Sequence, residues 1–260
     1  MCRLVAYLGE DLPSGSLVFG GEHSLYRQSW APRELLSGSV NADGWGVVWY
    51  SGEMPRRLAE ARPIWYEDDL RGVLDAVRST CVVAALRNGT PGLAVDRTAL
   101  LPMVRGRWSF VLNGFVPDFR SRHMRALREE LPDHLYAALR GSSDSETLFL
   151  STLAAMEDGA DARQALTRTV TRVLSRLGSS GSECQLTLLL ADGESLTVVR
   201  TSNVKETNSL YLGRATRLAP EGSILASEPL TEDDDWEPVP PHHLLSMDRT
   251  GVLLEPLARN

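Results

Sequence analysis

A cysteine directly after the initiator methionine stands where it can become the first residue of the mature chain, because so small a side chain lets an aminopeptidase remove Met1. Cys2 would then combine a thiol of pKa about 8.5 with an α-amine of pKa about 7.7–8.0, so that one residue supplies both nucleophile and base. Such a residue can attack an amide carbonyl and hold the acyl group as a thioester, with a bridging water where direct proton transfer is cramped. Taken alone, Cys2 also reads as an arbitrary second residue. What decides is the set of groups the fold gathers around it.

The elements that would position those groups can be read from periodicity. Leu4 to Leu8, Gly46 to Tyr50, Cys81 to Arg87 and Trp108 to Leu112 read as short buried strands. Two of them end in small and polar residues, Asn88-Gly-Thr90 and Asn113-Gly114, where catalytic groups tend to sit. Helices are predicted over Arg120 to Leu139, in a segment opened by Ser143 or Asp144, and from roughly Asp161 to Leu177; Ser143-Asp-Ser-Glu146 has the form of a capping box. Strands return at Gln185 to Leu190, Leu196 to Arg200, Ser209 to Leu212, Ser223 to Ala226, and near Leu244 and Val252. Strands, then helices, then strands predict either two packed sheets with helices outside or an α+β domain with segregated layers. With no repeat, low-complexity stretch or long linker, a single domain over residues 2–260 is expected.

Composition removes several alternatives. The 260 residues carry a net charge of -7, spread along the chain apart from the acidic run Glu232, Asp233, Asp234, Asp235, which disfavours a nucleic-acid partner because phosphate binding needs a basic surface. No apolar run approaches the roughly 18 residues of a membrane span and the N-terminus lacks a secretory pattern, so a cytoplasmic protein without membrane association is expected. Cys2, Cys81 and Cys184 are odd in number and far apart, which indicates neither a disulfide framework nor a zinc site. Cys81 and Cys184 open apolar runs and read as core. His242 and His243 are adjacent and face opposite sides of a strand, so no metal is implied. No cofactor is expected, and a homo-oligomer is left open.

Read together and in order, Met1-Cys-Arg3, Asn41-Ala-Asp-Gly-Trp-Gly46, Leu86-Arg-Asn-Gly-Thr90, Leu112-Asn-Gly114 and Ser143-Asp-Ser-Glu146 resemble the glutaminase domain of class II glutamine amidotransferases. That resemblance implies an N-terminal-nucleophile αββα sandwich of two antiparallel sheets flanked by helices, with Cys2 at a strand start. Gln28-Ser-Trp-Ala-Pro-Arg33, Leu86 to Leu93 and Ala226-Ser-Glu-Pro229 look like the branch of amidohydrolases that remove glutamate from γ-glutamyl hercynylcysteine sulfoxide in ergothioneine biosynthesis.

By the same resemblance Arg87 would hold the substrate α-carboxylate, a task suited to the planar guanidinium fork, and Asp144 would accept its α-ammonium. Asn113, through its side-chain amide, and Gly114, through its N–H, would form the oxyanion hole. Each residue has a plainer reading too: an ion pair for Arg87, a helix-dipole partner for Asp144, a hairpin turn for Asn113-Gly114. Gly44 and Gly46 would permit close backbone approach, Trp45 would offer a rigid wall or simply fill the core, and Thr90 would add a hydrogen bond near the carboxylate. Trp30 is a candidate wall for a cationic betaine, and the remaining aromatics read as core or rim. Many relatives carry His before the Asn-Gly pair where this chain has Leu112, whose side chain should alternate away from Asn113.

The expected reaction is hydrolysis of a γ-glutamyl amide, with water as final acceptor because the resemblance consumes nearly all of the chain and leaves no acceptor domain. A γ-glutamyl hydrolase of another small amide, such as a glutathione-like peptide or glutamine, and a non-catalytic γ-glutamyl-binding subunit are the competing readings.

Overall fold

The computed structural model describes residues 2–36, 38–89, 97–178, 182–232 and 235–257. One seven-stranded antiparallel sheet contains β1 (Arg3–Pro13), β2 (Trp45–Ser51), β3 (Met54–Glu60), β4 (Arg78–Leu86), β9 (Tyr211–Thr216), β10 (Ala219–Ala226) and β11 (Trp236–Pro238), in the order β11-β9-β10-β1-β4-β2-β3. The second, six-stranded, contains β5 (Met103–Arg105), β6 (Trp108–Phe115), β7 (Gln185–Ala191), β8 (Ser195–Ser202), β12 (His243–Asp248) and β13 (Gly251–Pro256), in the order β13-β12-β8-β7-β6-β5. Helices α1 (Gly15–Phe19), α2 (Leu25–Gln28) and α3 (Leu70–Ala76) cover the outer face of the first sheet. Against the second pack α6 (Asp144–Glu157) and α7 (Ala162–Leu177), with α4 (Met124–Arg128) and α5 (Asp133–Tyr136) beside α6. The αββα sandwich that the family resemblance implies is the one observed.

Strand β1 shows why the layers form. Leu4, Ala6 and Leu8 join the core between the sheets, whereas Val5 and Tyr7 join the core beneath α1 to α3. A strand covered on both faces loses polar alternation and reads as a continuous apolar run. In β4 the same period sends Cys81, Val83 and Ala85 inward and Val82, Ala84 and Leu86 outward.

The predicted helix over Arg120 to Leu139 is instead broken into a π-turn at Phe119–His123, then α4 and α5, the last beginning after Pro132, which cannot continue a helix through its missing N–H. Strand β3 escaped prediction because Met54-Pro-Arg-Arg-Leu-Ala-Glu60 lies on a sheet edge, is only partly buried and carries Pro55, so it shows no apolar alternation. Ser143 caps α6 through its hydroxyl, which accepts from the Glu146 amide at 3.1 Å. Glu146 does not close the box. Its carboxylate accepts from the Arg140 and Gly141 amides at 2.7 and 2.9 Å and ties down the preceding loop. A full capping box is found at α7, between Asp161 and Gln164.

Candidate active site

Cys2 immediately precedes β1 and belongs to the inward-facing set with Leu4, Ala6 and Leu8, so its thiol lies between the sheets. On the facing sheet, Ser109, Val111 and Asn113 form the set that looks back toward it, because the Tyr50 hydroxyl reaches across from β2 to the Ser109 hydroxyl at 2.9 Å. Phe110 and Leu112 point the other way, Phe110 stacking on Phe149 of α6 at 5.1 Å. Leu112 therefore faces the helical layer, as its alternation implied.

The Ser227 hydroxyl joins the two sides. It accepts from the Leu4 amide at 2.9 Å and from the Asn113 side-chain amide at 3.5 Å. The second contact is at the limit of a hydrogen bond, so the Asn113 Nδ2 remains available to a stronger acceptor such as a developing oxyanion. The Asn113 carbonyl is in turn held by the Asn208 side-chain amide at 3.0 Å. Gly114 has φ 149°, and a Cβ there would meet the Gln185 carbonyl oxygen at 1.9 Å. Only glycine fits beside β7 in that conformation.

Arg3 pairs with Leu86 in the β1–β4 ladder, so one step further the register sets Arg87 across from Cys2. Arg87 is buried, and the inward alternation of Cys81, Val83 and Ala85 carries it to the Cys2 side. Its backbone is fixed by the Asn41–Gly46 segment. The Arg87 amide donates to the Gly44 carbonyl at 2.7 Å, the Asp43 amide donates to the Arg87 carbonyl at 3.1 Å, and the Gly89 amide donates to Asp43 at 2.6 Å. Gly44 has φ 141°, and a Cβ would meet Leu100 at 2.4 Å and the Glu60 carbonyl at 2.9 Å. The segment thus holds Arg87 in place through its backbone.

Asp144 is buried at the start of α6, and one of its oxygens accepts from the Val116 amide at 2.9 Å, two residues beyond Gly114. The other accepts from Ser145 N at 2.7 Å. Burial raises its pKa above the ordinary value, against the pull of these donors.

Trp45 does not face Cys2. It lies in the outward set with Val47, filling the core under α1 to α3, and its indole N–H donates to Glu67 at 3.2 Å. Gly46, not Trp45, takes the inward position on β2. Trp30 packs edge-on against Tyr26 at 4.8 Å and Trp65 at 6.3 Å, residues of the outer layer, and is 44% exposed. Neither indole joins the groups between the sheets. Thr90 lies outside the described residues.

The pattern of class II glutamine amidotransferases matches residues 22–258. The chain belongs to that family. It is 32% identical over 259 residues to the gamma-glutamyl-hercynylcysteine sulfoxide hydrolase of Mycobacterium tuberculosis, covering 100% of this chain and 98% of that protein. The protein of the same name from Mycolicibacterium smegmatis is 31% identical over 260 residues, covering 99% of this chain and 100% of its own length. Among solved structures, a glutamine aminotransferase class-II domain protein from Silicibacter pomeroyi superposes with a TM-score of 0.75 at 24% identity, covering 99% of this chain and 100% of the other. At that identity the superposition speaks for the fold.

Within this class II amidotransferase chain Glu228 is a buried group whose role the Ala226-Ser-Glu-Pro229 motif does not reveal in the sequence. The Glu228 carboxylate accepts from Arg3 at 2.9 Å, His23 at 2.5 Å, and the backbone amides of Arg33 and Glu34 at 2.8 and 3.1 Å. It therefore pins the Gln28–Arg33 segment to the residue that follows Cys2. Burial would raise its pKa, yet His23, the Arg33 amide and the charge of Arg3 hold it below the ordinary value. Two motifs about 200 positions apart in sequence meet at one carboxylate, and only the fold reveals it.

Glu228→Ala strands Arg3, which is fully buried, without its counter-ion. The expected loss is about 3–5 kcal/mol of stability, measured by denaturant unfolding. Because the folded pKa is lowered, this stabilisation is complete above the ordinary carboxylate value of 4.5 and fades as pH falls through the folded value. Glu228→Gln should flatten that acid limb of the stability curve.

Among the described residues, no group of three His, Cys, Asp or Glu side chains is placed to hold a metal ion. His242 contacts the Thr201 hydroxyl and His243 the Pro241 carbonyl. Among the described residues no helix is long and apolar enough to cross a membrane.

Proposed function

We propose that the chain is an amidohydrolase that cleaves a γ-glutamyl amide through a thioester on Cys2, releasing glutamate, and that its substrate is γ-glutamyl hercynylcysteine sulfoxide. The single observation that carries the chemistry is the placement of Cys2 and Asn113 on facing sheets with Ser227 bonded to both sides. The names of the full-length relatives support the choice of substrate. We further infer a single catalytic domain over residues 2–260 acting in a reducing compartment such as the cytoplasm, in keeping with three free cysteines.

Removal of Met1 frees the Cys2 α-amine. Arg87 then holds the glutamyl α-carboxylate and Asp144 its α-ammonium, which fixes the γ-carbonyl over the thiol. The amine, through a bridging water, takes the thiol proton as sulfur bonds to the carbonyl carbon, and the oxygen gathers charge against Asn113 Nδ2 and the Gly114 N–H. Collapse breaks the C–N bond as the α-ammonium returns the proton to the leaving nitrogen. Water, deprotonated by the same amine, attacks the thioester, and glutamate departs as the thiol reforms.

Arg87→Lys keeps the charge but loses the planar fork. Loss of one charged hydrogen bond, worth about 1.5–3 kcal/mol, should raise KM roughly 10- to 150-fold while kcat changes little. The substrate is tested with a panel of γ-glutamyl amides, glutamine and glutathione included, assayed for glutamate release. Preference for the sulfoxide supports the assignment; equal turnover of glutamine and glutathione overturns it while leaving the γ-glutamyl chemistry intact.

A further inference from the structure

Away from the Cys2 site, a cleft of about 290 Å³ opens between the edge strands β3 and β5 and the start of α6. Among the described residues four arginines line it, Arg57, Arg97, Arg105 and Arg140, against one lining carboxylate, Glu146. That carboxylate is already engaged by the Arg140 and Gly141 amides. Arg97 pairs with Glu60 at 3.1 Å, and Arg57 donates to the Leu100 carbonyl at 2.9 Å, which orients its guanidinium without neutralising it. In a chain whose net charge is -7, this concentration of cations runs against the whole-protein field.

Like charges gathered around a concavity raise each other's energy, and an anion bound among them removes that cost. At Arg57 burial, and then the charges of Arg97 and Arg140, lower the guanidinium pKa. Guanidinium forks pair with oxyanions through two parallel hydrogen bonds, so several around one cleft favour a multiply charged oxyanion over a single carboxylate. Phe149, stacked on Phe110, forms part of an apolar wall beside them.

We propose that this cleft is a binding site for a multiply charged oxyanion of the phosphate class, separate from the γ-glutamyl site. The probes are inorganic phosphate, diphosphate and adenosine diphosphate, titrated calorimetrically into the full chain at constant ionic strength set with chloride. Saturable binding of diphosphate, tighter than phosphate and weakened at least tenfold in Arg97→Gln/Arg140→Gln, is the expected result. Both substituted side chains are exposed, and thermal unfolding of the variant verifies that it folds. Tighter binding of adenosine diphosphate than diphosphate assigns the apolar wall to an organic body; equal affinity assigns the free oxyanion. Absence of saturation up to tens of millimolar, or binding unchanged in the folded double variant, overturns the proposal. If the variant fails to fold, Arg105→Gln, at the exposed end of β5, provides the same comparison.

Discussion

Cys2→Ala should abolish glutamate release while leaving the fold in place. The substitution removes the sulfur that forms the thioester and leaves only binding and oxyanion stabilisation, so turnover should fall by at least about 10⁴-fold. Cys2 is almost wholly buried, and truncating so small a side chain to alanine costs little packing, so thermal unfolding should shift by only a few degrees. Neither remaining thiol is suited to substitute for it. Burial raises the pKa of Cys81 and pushes that of Cys184 up to about 12, which keeps both protonated near neutrality. Rates of glutamate release by wild type and variant, with unfolding curves alongside, measure both halves of this expectation.

Asn113→Ala should lower kcat by about 10²–10³-fold with little change in KM, the signature of a donor that acts in the transition state. The amide Nδ2 holds Ser227 only at 3.5 Å, so its removal leaves in place the 2.9 Å bond from the Leu4 amide to the Ser227 hydroxyl. An equal rise in KM would instead mean that Asn113 binds the ground state. Gly114 cannot be probed by the same route. Any side chain there collides with the Gln185 carbonyl and breaks the β6–β7 pairing, so Gly114→Ala reports on the fold before it reports on the oxyanion hole.

Some of this arrangement was legible in the sequence because strand alternation is strict. Once Leu4 to Leu8 is a strand buried on both faces, Cys2 must lie on one side with Leu4 and Ala6, and Leu112 must look away from Asn113. The cap at Ser143 was equally local, although Glu146 turned out to bond the preceding loop and not the cap. Trp45 was harder. A tryptophan between two glycines reads the same whether it walls a site or fills a core, and only the β2–β4 pairing, with Trp45 opposite Leu86, sends it outward. Glu228 was illegible for a different reason. Its partners Arg3, His23, Arg33 and Glu34 lie about 200 positions away, and no local pattern marks a carboxylate that will be buried among them. Asn208 belongs to the same class, since its amide meets the Asn113 carbonyl 95 positions away. Edge strand β3 was lost because exposed arginines erase the alternation on which strand prediction depends.

The central claim is that Cys2, as the first residue of the mature chain, is the nucleophile for a γ-glutamyl carbonyl. A diazoketone analogue of glutamine sets its ketone where the scissile carbonyl would lie and its diazo carbon in place of the amide nitrogen; sulfur bonds to that carbon as dinitrogen leaves, and peptide mass spectrometry of the labelled protein reads which residue is alkylated. The account predicts one equivalent of label on an N-terminal peptide that begins at Cys2, with Cys81 and Cys184 unmodified. Active protein that retains Met1, or label on another residue with Cys2 untouched, would contradict it.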